Sequence, residues 1–471
     1  MHVNISKIFW LFAISILIII ILPFLIQEGM FVDGVTYSAL SKNLAHDIGS
    51  PWAPRFDNII SPPFYSHPPL VFIIQSYFFK LFGDGFYTER IYNFCLVLLT
   101  IYGMLLFWRL MNAAHDIQKM GWLLIFVWMC IPLASWTFKN NMLENTVSVL
   151  VLFSSYFLIY GILKNKFFSL FPASICLLAA FYSKGFVGLF PLVIPLLYLI
   201  VYQPKEKNYA FLFQFGILLL PALGFFYFYA TVPEIKLNLQ EYIKIQLIPA
   251  LNNESNIVAP TDRMHIMMDL ISDTIFLVLC LLLIRYFNKK EKFIIPTQFI
   301  KNAIFFCCIG LLASVPLMVT LKQRKFYLVP SLPFFVLAFS FIFAPSLVRY
   351  LKKISNTTAS RLYKISILIF VGSLIYSFTC IGKFSRDENI LKDVYQIAKI
   401  LPNHSALSCP RHLWSDWISN AYLLRIGVLS LDPNNQNAFY LTYKNEILPP
   451  THSNYIKVQI PLRTFDLYQL K

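Results

Sequence analysis

Long apolar runs, separated by short clusters of Lys and Arg, constrain this chain more than any other feature of its sequence. Bilayer hydrocarbon is about 30 Å thick and a helix rises about 1.5 Å per residue, so roughly 20 apolar residues make one crossing. Such runs predict roughly eleven spans, near 7–27, 89–110, 119–137, 143–163, 167–183, 186–203, 209–230, 266–287, 300–321, 326–346 and 362–382. The stretch 167–203 also reads as one long broken segment. The shorter stretch 68–82 reads as a helix lying on the membrane, and Tyr37 to Ala45 as a helix along the surface. The run 8–26 follows Lys7 and has no small-residue cleavage site after it, so it is expected to be a retained first helix. Of the 471 residues, 58% are hydrophobic and 13% charged, where soluble domains carry about a quarter charged. The expected class is mainly α and polytopic.

The net charge of +16 lies mainly in clusters between apolar runs. That pattern speaks for cytoplasmic loops and against a nucleic-acid groove. With the N-terminus inside, Lys164 and Lys166, Lys205 and Lys207, Arg285 to Lys292, and Arg349 to Lys364 all fall in cytoplasmic loops. The opposite orientation puts all four clusters outside. Three outer segments follow: 28–88, 231–265 and the tail after 383. The expected domains are a transmembrane part, 1–382, and a small extracytoplasmic α/β domain, 383–471. In the tail a helix is expected at 388–400 and strands at 405–409, 426–431 and 438–443. Seven of the 8 Cys lie in or beside apolar runs, where they act as small hydrophobes. Neither CxxC nor Cys/His metal spacing occurs, so no metal site is expected.

Polar residues that the topology does not explain are the candidates for chemistry. Asp33 directly follows the first helix on the expected outer side. A partly desolvated carboxylate there suits a general base for a sugar or lipid hydroxyl, although an N-cap for a helix over 35–45 accounts for it equally. His67 precedes Pro68-Pro69, which starts the next apolar stretch. Glu144 stands in the first turn of the fourth span, where the macrodipole favours it, and at the depth expected for Asp33. Lys184 between two apolar runs, the link Lys322-Gln323-Arg324-Lys325-Phe326-Tyr327, and Arg90 beside Glu89 are outer-side cations that oppose the positive-inside trend. A phosphate would reward them; snorkelling to headgroups is the blander account.

This order of residues resembles the GT-C superfamily over about residues 5–345: Asp33, His67-Pro68-Pro69, Glu89-Arg90, Glu144, Ser183-Lys184-Gly185 and Lys325-Phe326-Tyr327. It looks like the branch of lipid-A aminoarabinose transferases and protein O-mannosyltransferases. The resemblance implies an inverting transfer from a polyprenyl-phosphate sugar, without nucleotide sugar or cofactor, at the outer face of a bacterial inner membrane. The acceptor would be a lipid, a glycan or a protein. Asp33 and Glu144 would be catalytic. His67, Arg90, Lys184, Arg324, Lys325 and Tyr327 would bind the lipid phosphate and sugar. Asp33-Gly34 replaces the branch's usual Asp-Glu, and His67 its usual Lys. The Trp-Trp-Asp motif of the metal-dependent oligosaccharyltransferases is missing. Two other readings compete. A transporter or flippase of a lipid-linked sugar would show repeats and midplane charges. A structural envelope subunit would leave the rim cations unexplained.

Overall fold

The computed structural model describes residues 5–112, 115–254 and 262–471; part of the expected second outer segment, 255–261, lies outside them. Two compact units form. The first comprises 1–23, 93–138 and 143–381, the second 24–92, 139–142 and 382–471.

The first unit is helical. Among the described residues of the whole chain, nine helices are long and apolar enough to cross a membrane, or ten if one bent pair counts as a span. That pair corrects the straight helix expected over 119–137. Trp122–Met129 and Pro132–Lys139 meet at 86°, because Pro132 disfavours helical geometry in the residue before it and is well suited to begin a new helix.

The apolar stretch Phe167–Tyr202 doubles back on itself. Helix Leu170–Lys184 stops at Gly185, whose φ is +73°, a value that glycine adopts without a Cβ penalty. A Cβ on Gly188 would then lie 2.9 Å from Ala180 Cβ. Eight residues along a straight helix would separate them by about 12 Å. The segments expected at 167–183 and 186–203 are thus two arms of a hairpin. The second arm starts as a 3-10 helix, Gly185–Val193, and continues as Ile194–Tyr202. Helix Asn208–Thr231 runs alongside the first arm: Phe213 meets Phe167 and Phe225 meets Phe181.

In the second unit the first outer segment and the tail share one core. Met30 and Val35 pack in the same cluster as Leu391, Val394, Ile397, Leu407 and Leu441. The helix expected at 388–400 is present as Glu388–Ile400. A second helix, Trp417–Gly427, was not expected. The tail's five strands are β3 (Ala406–Ser408), β4 (Ser430–Asp432), β5 (Phe439–Tyr443), β6 (Tyr455–Lys457) and β7 (Phe465–Leu470), after a small hairpin of β1 (Gly49–Ser50) and β2 (Ala53–Pro54). The sheet order is β4-β3-β5-β7-β6, parallel across β4, β3 and β5 and antiparallel beyond.

The surface helix expected at 37–45 is corrected. Helix Val32–Ala45 is buried from Gly34 to Leu44. Its hydroxyls are satisfied internally, Ser38 donating to Gly34 O and Ser41 to Tyr37 O. Lys42 Nζ donates to Ile426 O in the tail at 3.2 Å. Helical periodicity alone cannot say whether a polar face meets water or another part of the chain.

Candidate active site

In the first unit, Leu143–Lys164 and Leu170–Lys184 form an antiparallel hairpin. Ser154 Oγ donates to Ala173 O at 2.9 Å. Counting from the turn at Asn165, Glu144 and Lys184 stand at similar heights, roughly 31 Å and 28 Å along their helices. Their side chains meet: the Lys184 ammonium donates to Glu144 Oε1. Each charge suits its helix end, an anion in the first turn and a cation in the last. Both side chains are buried, Glu144 at 0% exposure and Lys184 at 5%. Lys184 Nζ lies 4.5 Å from the centre of the Tyr327 ring and 5.7 Å from that of Phe326, within cation–π range. Trp136 stacks on Phe326 with ring planes 14° apart.

Other cations gather here. Lys322 donates to Gln246 Oε1 at 3.0 Å. Burial first, then the positive charges of Arg324 and Lys184, hold its ammonium below the usual lysine range. Arg324 is exposed. Lys325 pairs with the buried Asp273 at 3.1 Å. The link at 322–327 therefore concentrates positive charge about Lys184, with Arg324 exposed and the Lys325 side chain partly so. Such a cluster can take an anionic headgroup oxygen by charge-assisted hydrogen bonds.

Asp33, His67 and Arg90 belong to the second unit. Helix Val32–Ala45 begins at Val32 with Phe31 as its cap residue, so Asp33 sits inside the first turn and does not serve as N-cap. It is partly exposed. The turn before Glu144 holds this helix start. Asn140 Oδ1 accepts from Phe31 N at 2.7 Å, and Asn141 Nδ2 donates to Gly34 O and Ser38 Oγ at 3.3 and 2.9 Å. The approach explains Gly34, because a Cβ there would stand 1.9 Å from Asn140 O. His67 packs edge-on to Tyr37, ring centres 6.1 Å apart, and 6.3 Å from Phe64.

Arg90 is buried, and its guanidinium donates to the carbonyls of Lys139 and Gly29 at 2.5 and 2.6 Å. That geometry ties together the two segments that flank Asp33. Glu89 pairs with Arg425 of the tail at 2.8 Å.

The structure thus groups Glu144, Lys184 and Tyr327 in direct contact, with Arg324 and Lys325 on the neighbouring link. Asp33, His67 and Arg90 belong to the other unit, where His67 packs on the helix that carries Asp33 and Arg90 clamps the segments beside it. Sequence reasoning left Lys322 without a role although it read the same link. It also passed over Asp273, whose signal was a carboxylate inside an apolar run. Nothing local marked Arg425. Among the described residues, no three His, Cys, Asp or Glu side chains gather in a way that could hold a metal ion.

Residues 66–228 match the family described as dolichyl-phosphate-mannose-protein mannosyltransferase. No curated protein matches the sequence. Among solved structures, the chain resembles ArnT from Cupriavidus metallidurans in the apo state, with a TM-score of 0.67 at 13% identity over 97% of this chain and 96% of that one. The same enzyme bound to undecaprenyl phosphate gives 0.64 at 13% identity, with 97% of each chain covered. The oligosaccharyltransferase of Archaeoglobus fulgidus in the apo form gives 0.53 at 11% identity, over 89% of this chain and 64% of that one. The chain therefore has an ArnT-like GT-C fold, and its long apolar helices make it a multi-pass membrane protein.

Proposed function

We propose that this protein, built on the GT-C glycosyltransferase fold, moves a sugar from a polyprenyl-phosphate carrier to an acceptor hydroxyl at the outer face of a bacterial inner membrane. The observation that carries the reading is the buried Lys184–Glu144 pair beneath Tyr327, with Lys322 and Arg324 adding charge beside it. Glu144 balances Lys184 and Asp273 balances Lys325, so Lys322 and Arg324 leave the cluster with excess positive charge that a lipid phosphate would balance. The undecaprenyl phosphate bound by the ArnT relative supports the same carrier chemistry.

The step is a single displacement. The acceptor oxygen forms a bond to the anomeric carbon while the bond from that carbon to the phosphate oxygen breaks, inverting the centre. Asp33 takes the hydroxyl proton. The polyprenyl phosphate leaves with the bonding pair, and Lys184, Lys322, Arg324 and Lys325 stabilise its growing charge. Glu144 holds Lys184 in place and tempers its charge. Tyr327 flanks that ammonium, and His67 borders the helix that carries Asp33. Arg90 acts through the backbone it clamps. The step calls on no cofactor, because the phosphate is already a good leaving group. The positive-inside pattern supports a cytoplasmic N-terminus and an extracytoplasmic tail.

Transfer from a radiolabelled polyprenyl-phosphate sugar, in membranes holding wild type or Asp33→Asn, tests the reading. Label should reach an extractable product only with wild type, while Asp33→Asn keeps carrier binding. Near-normal turnover by Asp33→Asn would remove the base assignment. Carrier that crosses vesicles intact with both proteins would replace transfer by flipping.

A further inference from the structure

From the way the tail meets the helix that carries Asp33, we infer that Trp417 is the stacking platform for a saccharide acceptor. The inference rests on the transfer reading above and names the acceptor class for it. Trp417 opens helix Trp417–Gly427, and its indole Nε1 donates to Thr36 Oγ1 at 3.0 Å. Thr36 lies one helical turn beyond Asp33, and residues three apart share a helix face. The tail therefore anchors an aromatic ring to the residue one helical turn beyond the proposed base.

The ring is held, yet open. Phe56 packs edge-on to it at 5.5 Å between ring centres, and Phe64 packs edge-on to Phe56 at 5.6 Å. Trp417 nonetheless keeps 39% of its surface exposed. An indole whose N–H is already bonded offers only its apolar face and edge. A fixed apolar face anchored one helical turn from a base that needs a hydroxyl matches a pyranose ring, which stacks its C–H face and presents hydroxyls at its rim. A serine or threonine side chain has no comparable flat face to stack. Asp416, the preceding residue, is already engaged: its Oδ2 accepts from Ser419 Oγ and Tyr443 Oη at 2.5 and 2.7 Å. That network fixes the start of the helix and with it the indole.

The test uses the full-length protein in lipid nanodiscs and needs no turnover. Asp33→Asn and Asp33→Asn/Trp417→Ala are compared by saturation-transfer NMR with methyl glycosides of hexoses and hexosamines, and with a Ser/Thr-rich peptide. Glycoside binding should appear in the first protein and weaken about ten-fold in the second, as expected for the loss of one stacking contact. Peptide binding should be the same in both. With active protein, Trp417→Ala should raise the KM for a membrane glycan extract about ten-fold and leave kcat and the donor KM near wild type. Trp417→Phe, which keeps a ring but loses the bond to Thr36, should lie between and controls for misfolding. Equal glycoside binding with and without Trp417, or a fall in kcat alone, would reduce Trp417 to a scaffold residue. Dependence on Trp417 for the peptide only would overturn the saccharide class. If glycosides bind through Trp417 but wild type transfers no label, the transfer reading fails and the saccharide site stands.

Discussion

Removing one partner of the Glu144–Lys184 pair should have opposite effects on carrier binding and the same effect on stability. Two unit charges near contact attract by about 4 kcal/mol at an effective dielectric constant of about 20. Desolvation costs several kcal/mol per ion, so the intact pair is close to balanced. Either single variant, Glu144→Gln or Lys184→Met, leaves a charge buried alone, for both side chains are at most 5% exposed. The expected loss is about 3–5 kcal/mol. The double variant, which buries two neutral groups, should recover most of it. Binding separates the two singles. Glu144→Gln removes the anion that tempers Lys184 and should bind undecaprenyl phosphate more tightly. Lys184→Met should bind it at least ten-fold more weakly, the equivalent of about 1.4 kcal/mol. Denaturant unfolding in detergent reads stability, and native mass spectrometry reads the carrier. Two results would refute the reasoning: single variants within about 1 kcal/mol of wild type, or both singles weakening carrier binding equally.

Three further outcomes follow from individual geometries. Gly34→Ala should destabilise by about 2 kcal/mol or more and cut transfer sharply, because its Cβ would sit 1.9 Å from Asn140 O and push the Asp33 turn aside; wild-type thermal stability would count against this. Arg90→Met should cost roughly 3 kcal/mol through two carbonyls left without their charged donor, but should leave the carrier Kd near wild type, as titration with undecaprenyl phosphate would show. Lys42 gives a pH dependence. Burial, then Arg425, lowers its ammonium to about 8. Between pH 8 and its unfolded value near 10.4 the unfolded chain binds the extra proton, so Lys42 makes stability rise with pH across that window. The full effect is about 3 kcal/mol. Lys42→Met should flatten this rise, as unfolding at pH 7.5 and 10 would measure; an unchanged slope would contradict it.

How much of this was legible beforehand depends on the reach of each interaction. Apolar length alone locates most of the apolar helices, because the bilayer imposes its thickness on each segment separately, but of roughly eleven expected spans nine or ten qualify among the described residues, and the bend at Pro132 was not legible. The Glu144–Lys184 contact was within reach too: a short turn at Asn165 makes neighbours antiparallel, and a constant rise per residue brings two residues counted from that turn to similar heights. Helix Glu388–Ile400 was readable from its own periodicity. The sequence did not reveal that Val32–Ala45 is buried. Its cover comes from Leu70–Phe82 on one side and from Trp417–Gly427, hundreds of residues downstream, on another, and a helix face looks the same whether it meets water or protein. For the same reason only the tertiary structure could assign Arg425 to Glu89, Arg90 to two carbonyls, and Trp417 to Thr36. Local propensity and hydrophobic period act over one or two turns. The partner of a buried charge is decided by which distant segment the fold brings against it.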